Sequence, residues 1–295
     1  MTQPALSPAQ AADLLRYYGD IGVDTAVADQ PGRWDAPLRL RSTAADLVGA
    51  PAARTASGRP SQRPPMNPPA IAEPVRPAPA ATLGGDAAVS DARKAAKAAQ
   101  TLEELEAAIR AFDGCSLKLT ATTTVFADGH PDAAVMVVGE APGAEEDRQG
   151  KPFVGRAGQL LDRMLAAIDL SRDATAYISN ILPWRPPGNR QPNATEIALC
   201  LPFIERHIAL KRPRVLILAG GTSAKALFQT NEGIMRLRGR WRDLAIPGLA
   251  DPVPTLALFH PAFLLRQPAA KREAWRDLVQ VRKRLIEMGL ATPPA

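Results

Sequence analysis

The chain is poor in the residues that usually announce a site. Its 295 residues include two cysteines, three histidines and 5% aromatics. Two cysteines cannot build a disulfide framework, and by themselves cannot supply a four-ligand zinc or iron–sulfur site. No uncharged apolar run reaches the roughly 18–20 residues of a membrane span. The opening stretch MTQPALSPAQAADLLRYYGD has no basic region followed by an apolar one, so no secretory signal is expected there. A reducing cytoplasm is the simplest expected compartment. Neither charge dominates. Lys and Arg number 36 against 30 Asp and Glu, a net +6, which permits a polyanionic partner without requiring one. What is plentiful is apolar surface: 46% hydrophobic residues exclude a wholly disordered chain. The length suits one or two domains of about 100–200 residues.

Proline is plentiful but uneven. Of 29 prolines, 13 lie in the first 80 residues and nine fall between Pro51 and Pro79. That stretch carries almost no large apolar side chains, so burial cannot offset its chain entropy. Residues 26–89 therefore read as a linker. Ahead of it, within 1–25, Ser7 can cap a short helix with Leu14, Leu15, Tyr18 and Ile21 on one face. Two readings compete for that helix: packing on the main domain, or docking a partner protein. A globular pattern runs over 90–290. Thr101 and Glu104 fit a capping box.

Four continuous apolar runs follow: AAVMVVG (133–139), AYISNIL (176–182), RVLILAGG (214–221) and PTLALFHP (254–261). Continuous runs mark strands covered on both faces. Helical segments separate them, and KREAWRDLVQVRKRLIEMG closes the series. The alternation predicts a three-layer α/β/α sandwich around a mostly parallel four-stranded sheet. In such sheets ligands bind beyond the carboxyl ends of the strands.

The unusual residues lie at those ends. Gly139-Glu140-Ala141-Pro142-Gly143 makes a tight turn, followed by Glu145, Glu146 and Asp147. Its carboxylates are either a solvated acidic loop or groups that orient water and stabilise a developing cation. Phe153 sits in a glycine-flanked loop, where an aromatic ring can stack on a base. Asn180 ends the second strand with a donor and an acceptor on one amide. Thr222 and Ser223 open a helix after Gly220-Gly221, a weak phosphate-site signal. His260 is the histidine at a strand end, while His130 and His207 read as structural or solvated.

These segments, in this order, resemble the uracil-DNA glycosylase superfamily, above all its family 4. The strings that carry the likeness are VVGEAPGAEEDRQGKPFVGRAGQLLDRML, YISNILPWRPPGNR and FHPAFLLRQP, within residues 110–286. The resemblance implies a monofunctional enzyme that hydrolyses the N-glycosidic bond of deoxyuridine and leaves an abasic site. It implies Glu140 at the catalytic turn, Glu146 as a second candidate, and Asn189 bracing the carboxylate. Phe153 would stack on a flipped uracil within a pocket formed with Gly139 and Ala141. Asn180 would read N3 and O4, and His260 would donate to O2. Leu264, Leu265 and Arg266 would fill the vacated stack, unless the leucines simply pack the loop. Thr222, Ser223 and Arg190 would hold the DNA backbone. A monomer acting on single- or double-stranded DNA, associated with the nucleoid and not with membrane, is expected, and a partner docking the N-terminal helix would be a repair or replication protein.

Two alternatives stand beside this reading: a non-catalytic DNA-damage binder using the same pocket, and a nucleotide hydrolase on the same fold. One departure from the family stands out. Family 4 enzymes hold an iron–sulfur cluster with four cysteines. The matching positions here are Phe112, Cys115, Trp184 and Cys200. Two ligands of four cannot hold a cubane cluster, so no cofactor is expected, with large side chains filling the space.

Overall fold

The computed structural model describes residues 85–292. The expected N-terminal helix within 1–25 and most of the expected linker lie outside them. The described part begins with helix α1 (Gly85–Ala98), so residues 85–89, read above as linker, are helical. Their Gly/Ala-rich composition hid a helix whose Ala92 and Ala96 are buried. Helix α2 (Leu102–Ala111) begins as expected: Thr101 Oγ1 accepts from the Glu104 N–H at 3.1 Å. The Glu104 carboxylate reaches back one residue further than a capping box requires, to the Gln100 N–H.

The sheet has six strands rather than four, in the order β1-β3-β2-β4-β6-β5. The four expected strands form its centre: β2 (Val135–Gly139), β3 (Ala176–Asn180), β4 (Val215–Ala219) and β6 (Val253–Leu258). They pair in parallel. Two short antiparallel strands close the edges, β1 (Ala127–Gly129) on β3 and β5 (Trp241–Leu244) on β6. Both escape the sequence pattern for one physical reason. Each is three or four residues long and none or one of its residues is buried, so neither writes a run or an alternation.

Alternate residues of the central strands feed two cores. Met136, Val138, Leu216 and Leu218 face one layer, which includes residues of α1, α2 and α6 (Ala194–Lys211). Val135, Val137, Val215 and Ile217 face the other, with α5 (Arg156–Ala166) and α10 (Lys271–Glu287). Both sheet faces are thus covered, the condition for a three-layer α/β/α sandwich. From β2 the chain moves to one side for β3 and returns to the other for β4. The crevice at that reversal lies beyond the carboxyl ends of the strands. Register places Gly139 beside Asn180 at the mouth.

Two of the three histidines support the fold. His207 on α6 is fully enclosed, hydrogen-bonded to the Tyr177 hydroxyl at 2.9 Å and stacked on Phe126 at 4.3 Å. His130 accepts from the Asp132 N–H. Burial, with Lys211 nearby, pushes His207 down to about 3. The unfolded chain would protonate it near 6.5. Between those values the unfolded state holds the extra proton, so stability is present above pH 6.5 and is lost as pH falls, at up to about 1.4 kcal/mol per pH unit. Urea unfolding at pH 7 and pH 4.5 should show this loss, and His207→Gln should flatten the slope. An unchanged slope in that variant would assign the acid sensitivity elsewhere.

Candidate active site

A cleft of about 760 Å³ opens at the carboxyl ends of all four central strands. Glu140, Phe153, Asn180, Asn189, Thr222, His260 and Arg266 all line it, with Ala141 and Glu146. Glu140, Asn180, Thr222 and His260, expected from the ends of β2, β3, β4 and β6, are therefore brought to one place.

Glycines make the room. Gly139 packs so tightly that a Cβ there would sit 2.5 Å from both Asn180 Oδ1 and the Phe153 ring. Gly220 has φ +108°, a conformation that favours glycine, and a Cβ on it would meet His260 at 3.0 Å. On α5, a side chain at Gly158 would overlap the Phe153 backbone. Phe153 itself takes φ +55°, a costly conformation that persists only where its surroundings hold it. Two clamps do so. Glu146 Oε1 accepts from the Val154 and Gly155 N–H groups at 3.0 and 2.8 Å. Arg172 donates to the Pro152 and Phe153 carbonyls at 2.8 and 2.5 Å, and its guanidinium also meets Asp128 and Asp162. The Phe153 ring then lies 5.5 Å from the His260 ring.

Glu146 is a brace rather than an open carboxylate. Its second oxygen accepts from the Gly143 N–H at 3.1 Å. It sits on a short helix, α4 (Ala144–Gln149), not in a solvated loop, and ties the β2 turn to the Phe153 loop. Glu140 is held differently, by a 2.5 Å hydrogen bond from the Thr222 hydroxyl. Asn189 does not brace it; the Asn189 carbonyl oxygen accepts from Arg185 Nε at 2.7 Å.

Asn180 is 6% exposed, and its Oδ1 is the buried side-chain polar atom without a hydrogen-bond partner among the described residues. A buried acceptor left in this state costs about 1–3 kcal/mol until something donates to it. His260 caps α9 (Pro261–Arg266): its Nδ1 accepts from the Ala262 N–H at 3.1 Å. The ring proton of the neutral form is therefore on Nε2. Burial pushes His260 down to about 4, with Arg266 adding and the Glu146 charge opposing. At neutral pH the ring is an uncharged donor.

Other expected contacts move. Ser223 is fully buried and donates to the Gly220 carbonyl, so it offers nothing to a DNA backbone. Leu264 is 1% exposed and belongs to the core, and Leu265 packs partly against it. Helical register on α9 turns Leu264 inward and leaves Arg266 outside. Arg190 does line the cleft, with its guanidinium engaged by Glu196 in a two-pronged ion pair. Lys225 joins Arg266 at the rim, and no motif flagged it. Arg172 was missed as well, because a lone arginine in a loop carries no pattern.

The four cluster positions form an apolar plug. Cys115 and Cys200 are buried, and Trp184 is 1% exposed with its indole N–H on Thr124 Oγ1 at 3.1 Å. Phe112 packs edge-on to Phe203 at 5.2 Å. The neighbouring Cys200 thiol draws Cys115 below the usual thiol value; Cys115 and burial hold Cys200 well above it. Two cysteines beside a phenyl ring and an indole, neither of which can ligate iron, do not fit a four-ligand cluster.

The family model described as "Uracil DNA glycosylase superfamily" matches residues 126–279. The Type-4 uracil-DNA glycosylase of Pyrobaculum aerophilum is 38% identical over 181 residues, 60% of this chain and 91% of that protein. The enzyme of the same name from Archaeoglobus fulgidus is 34% identical over 186 residues, covering 62% and 92%. That from Thermotoga maritima is 35% identical over 167 residues, covering 57% and 84%.

The plug carries a stability prediction. Trp184→Ala should cost about 3–5 kcal/mol, as large-to-small changes at filled sites do. Urea unfolding measures it. A loss under about 1 kcal/mol would show that the site collapses easily and is not tightly filled.

Proposed function

The chain belongs to the uracil DNA glycosylase superfamily, and on that premise we propose that it hydrolyses the N-glycosidic bond of deoxyuridine in DNA, releasing uracil and leaving an abasic site. One observation carries the choice of base: the buried Asn180 Oδ1, which has no hydrogen-bond partner among the described residues. Uracil presents an N–H at N3 and a carbonyl at C4, which match an amide's acceptor and donor. Cytosine reverses both, and would set acceptor against acceptor. The target must leave the base stack to enter such a cleft.

Bond cleavage sends the N1–C1′ electron pair to the base and leaves C1′ short of electrons. The His260 Nε2–H is directed to O2, where the negative charge gathers, and being neutral it need not give up its proton. The Glu140 carboxylate faces the cationic sugar and orients the water that adds to C1′; the proton released by that water ends on uracil. Preorganised groups of this kind cost no rearrangement as charge develops. Phe153 supplies a ring face for the base. Glu146 holds the two loops that carry Glu140 and Phe153. Lys225 and Arg266 lie where phosphates would pass, so the rate at limiting enzyme should fall with salt. The chain works without an iron–sulfur cluster; chemical analysis of purified protein should find neither stoichiometric iron nor sulfide, and finding both would refute this.

Treating a uracil-containing oligonucleotide with the protein and cleaving abasic sites with alkali tests the reading. Wild type should cut at uracil. His260→Ala and Asn180→Asp should each slow uracil release by about 10–100-fold, the worth of a hydrogen bond to a charged or buried partner. Asn180→Asp should also begin to release cytosine. Wild-type rates in both variants would show that the site is assigned wrongly.

A further inference from the structure

We propose that Thr222 is a positioning residue for the Glu140 carboxylate, and not a contact to the DNA backbone. The inference rests on the reading that Glu140 faces the reacting sugar. The two residues are 82 positions apart, yet the Thr222 hydroxyl donates to Glu140 Oε2 at 2.5 Å. Thr222 is the side chain hydrogen-bonded to that carboxylate among the described residues. A carboxylate on a flexible stem has several rotamers. One fixed oxygen selects among them and leaves Oε1 for water or sugar.

The turn that delivers Thr222 is itself fixed. The Gly220 N–H donates to the Leu258 carbonyl at 2.9 Å, and Gly220 runs against the His260 side chain. The same turn thus sets the distance between the carboxylate on the sugar side and the donor on the base side. Removing the hydroxyl should loosen Glu140 without touching the groups that read the base. A contact to phosphate would behave differently, since its loss weakens binding and lowers the salt dependence.

The test uses the full chain and steady-state and single-turnover release of uracil from an oligonucleotide. Thr222→Val should lower kcat by about 10–100-fold, the range for a hydrogen bond to a charged group. KM and the salt slope should stay near wild type, and Thr222→Ser should restore most of kcat. In a cycle with Glu140→Gln, the double variant should be no slower than Glu140→Gln alone. Unfolding midpoints would show whether Thr222→Val is folded; if it is not, Thr222→Ala carries the same comparison. Wild-type kcat in Thr222→Val, beside a slow Glu140→Gln, would overturn the proposal. So would raised KM and a reduced salt slope with kcat intact. Full activity in Glu140→Gln would instead overturn the role of Glu140. An inert wild type would remove the functional reading, and this proposal with it.

Discussion

One carbonyl oxygen sets the terms for the cleft. Asn180 Oδ1 is buried at the end of a central strand and has no hydrogen-bond donor among the described residues. Folding ordinarily removes such costs, and a protein keeps one only where a ligand or solvent repays it. The surroundings hold it in place. Gly139 lets the backbone of β2 approach within contact of the amide, and the Phe153 ring closes against the same glycine. Phe153 is held in a left-handed conformation by Glu146, on the N–H groups that follow it, and by Arg172, on its own carbonyl and the one before. The site is thus stiff before anything binds. Stiffness matters because a donor–acceptor pattern reversed at two neighbouring positions can be read only by groups that do not move to accommodate both bases.

The same stiffness divides the work between carboxylates. Glu140 and Glu146 are six residues apart and chemically alike, yet their partners differ. Glu146 spends both oxygens on three backbone N–H groups and becomes part of the frame. Glu140 takes one hydroxyl and keeps an oxygen toward the cleft. His260 is tuned in a parallel way. A backbone N–H fills Nδ1, burial removes the charge, and a neutral Nε2–H is left on a ring that lines the cleft. A charged ring would have bound an anion more strongly, but would also have met Arg266.

Much of this was legible from residues alone. The four parallel strands wrote themselves as continuous apolar runs, and their ends held Glu140, Asn180, Thr222 and His260. What was illegible depended on register or on distance in the chain. Whether Leu264 or Arg266 faces out is decided by helical phase on a six-residue helix. Ser223 follows Thr222 directly, and one step around the helix sends it into the core. The Arg172 knot joins four segments that share no motif. Edge strands of three and four residues leave no periodic trace. That two of the four positions matched to the family's cysteines hold Phe112 and Trp184 was legible from the residues themselves. The structure adds how Trp184 and Phe112 occupy the region: one through an indole hydrogen bond, the other against Phe203.

The central claim is that an empty acceptor at Asn180 and a neutral donor at His260 select uracil. Titrating the protein with free uracil and free cytosine, with ¹⁵N detection of the Asn180 and His260 side chains, tests it directly. Uracil should shift both side chains, with the His260 ring remaining neutral and protonated at Nε2 across pH 6–8, while cytosine at equal concentration shifts neither. Equal responses to the two bases, or a His260 ring that carries two protons at neutral pH, would contradict the account.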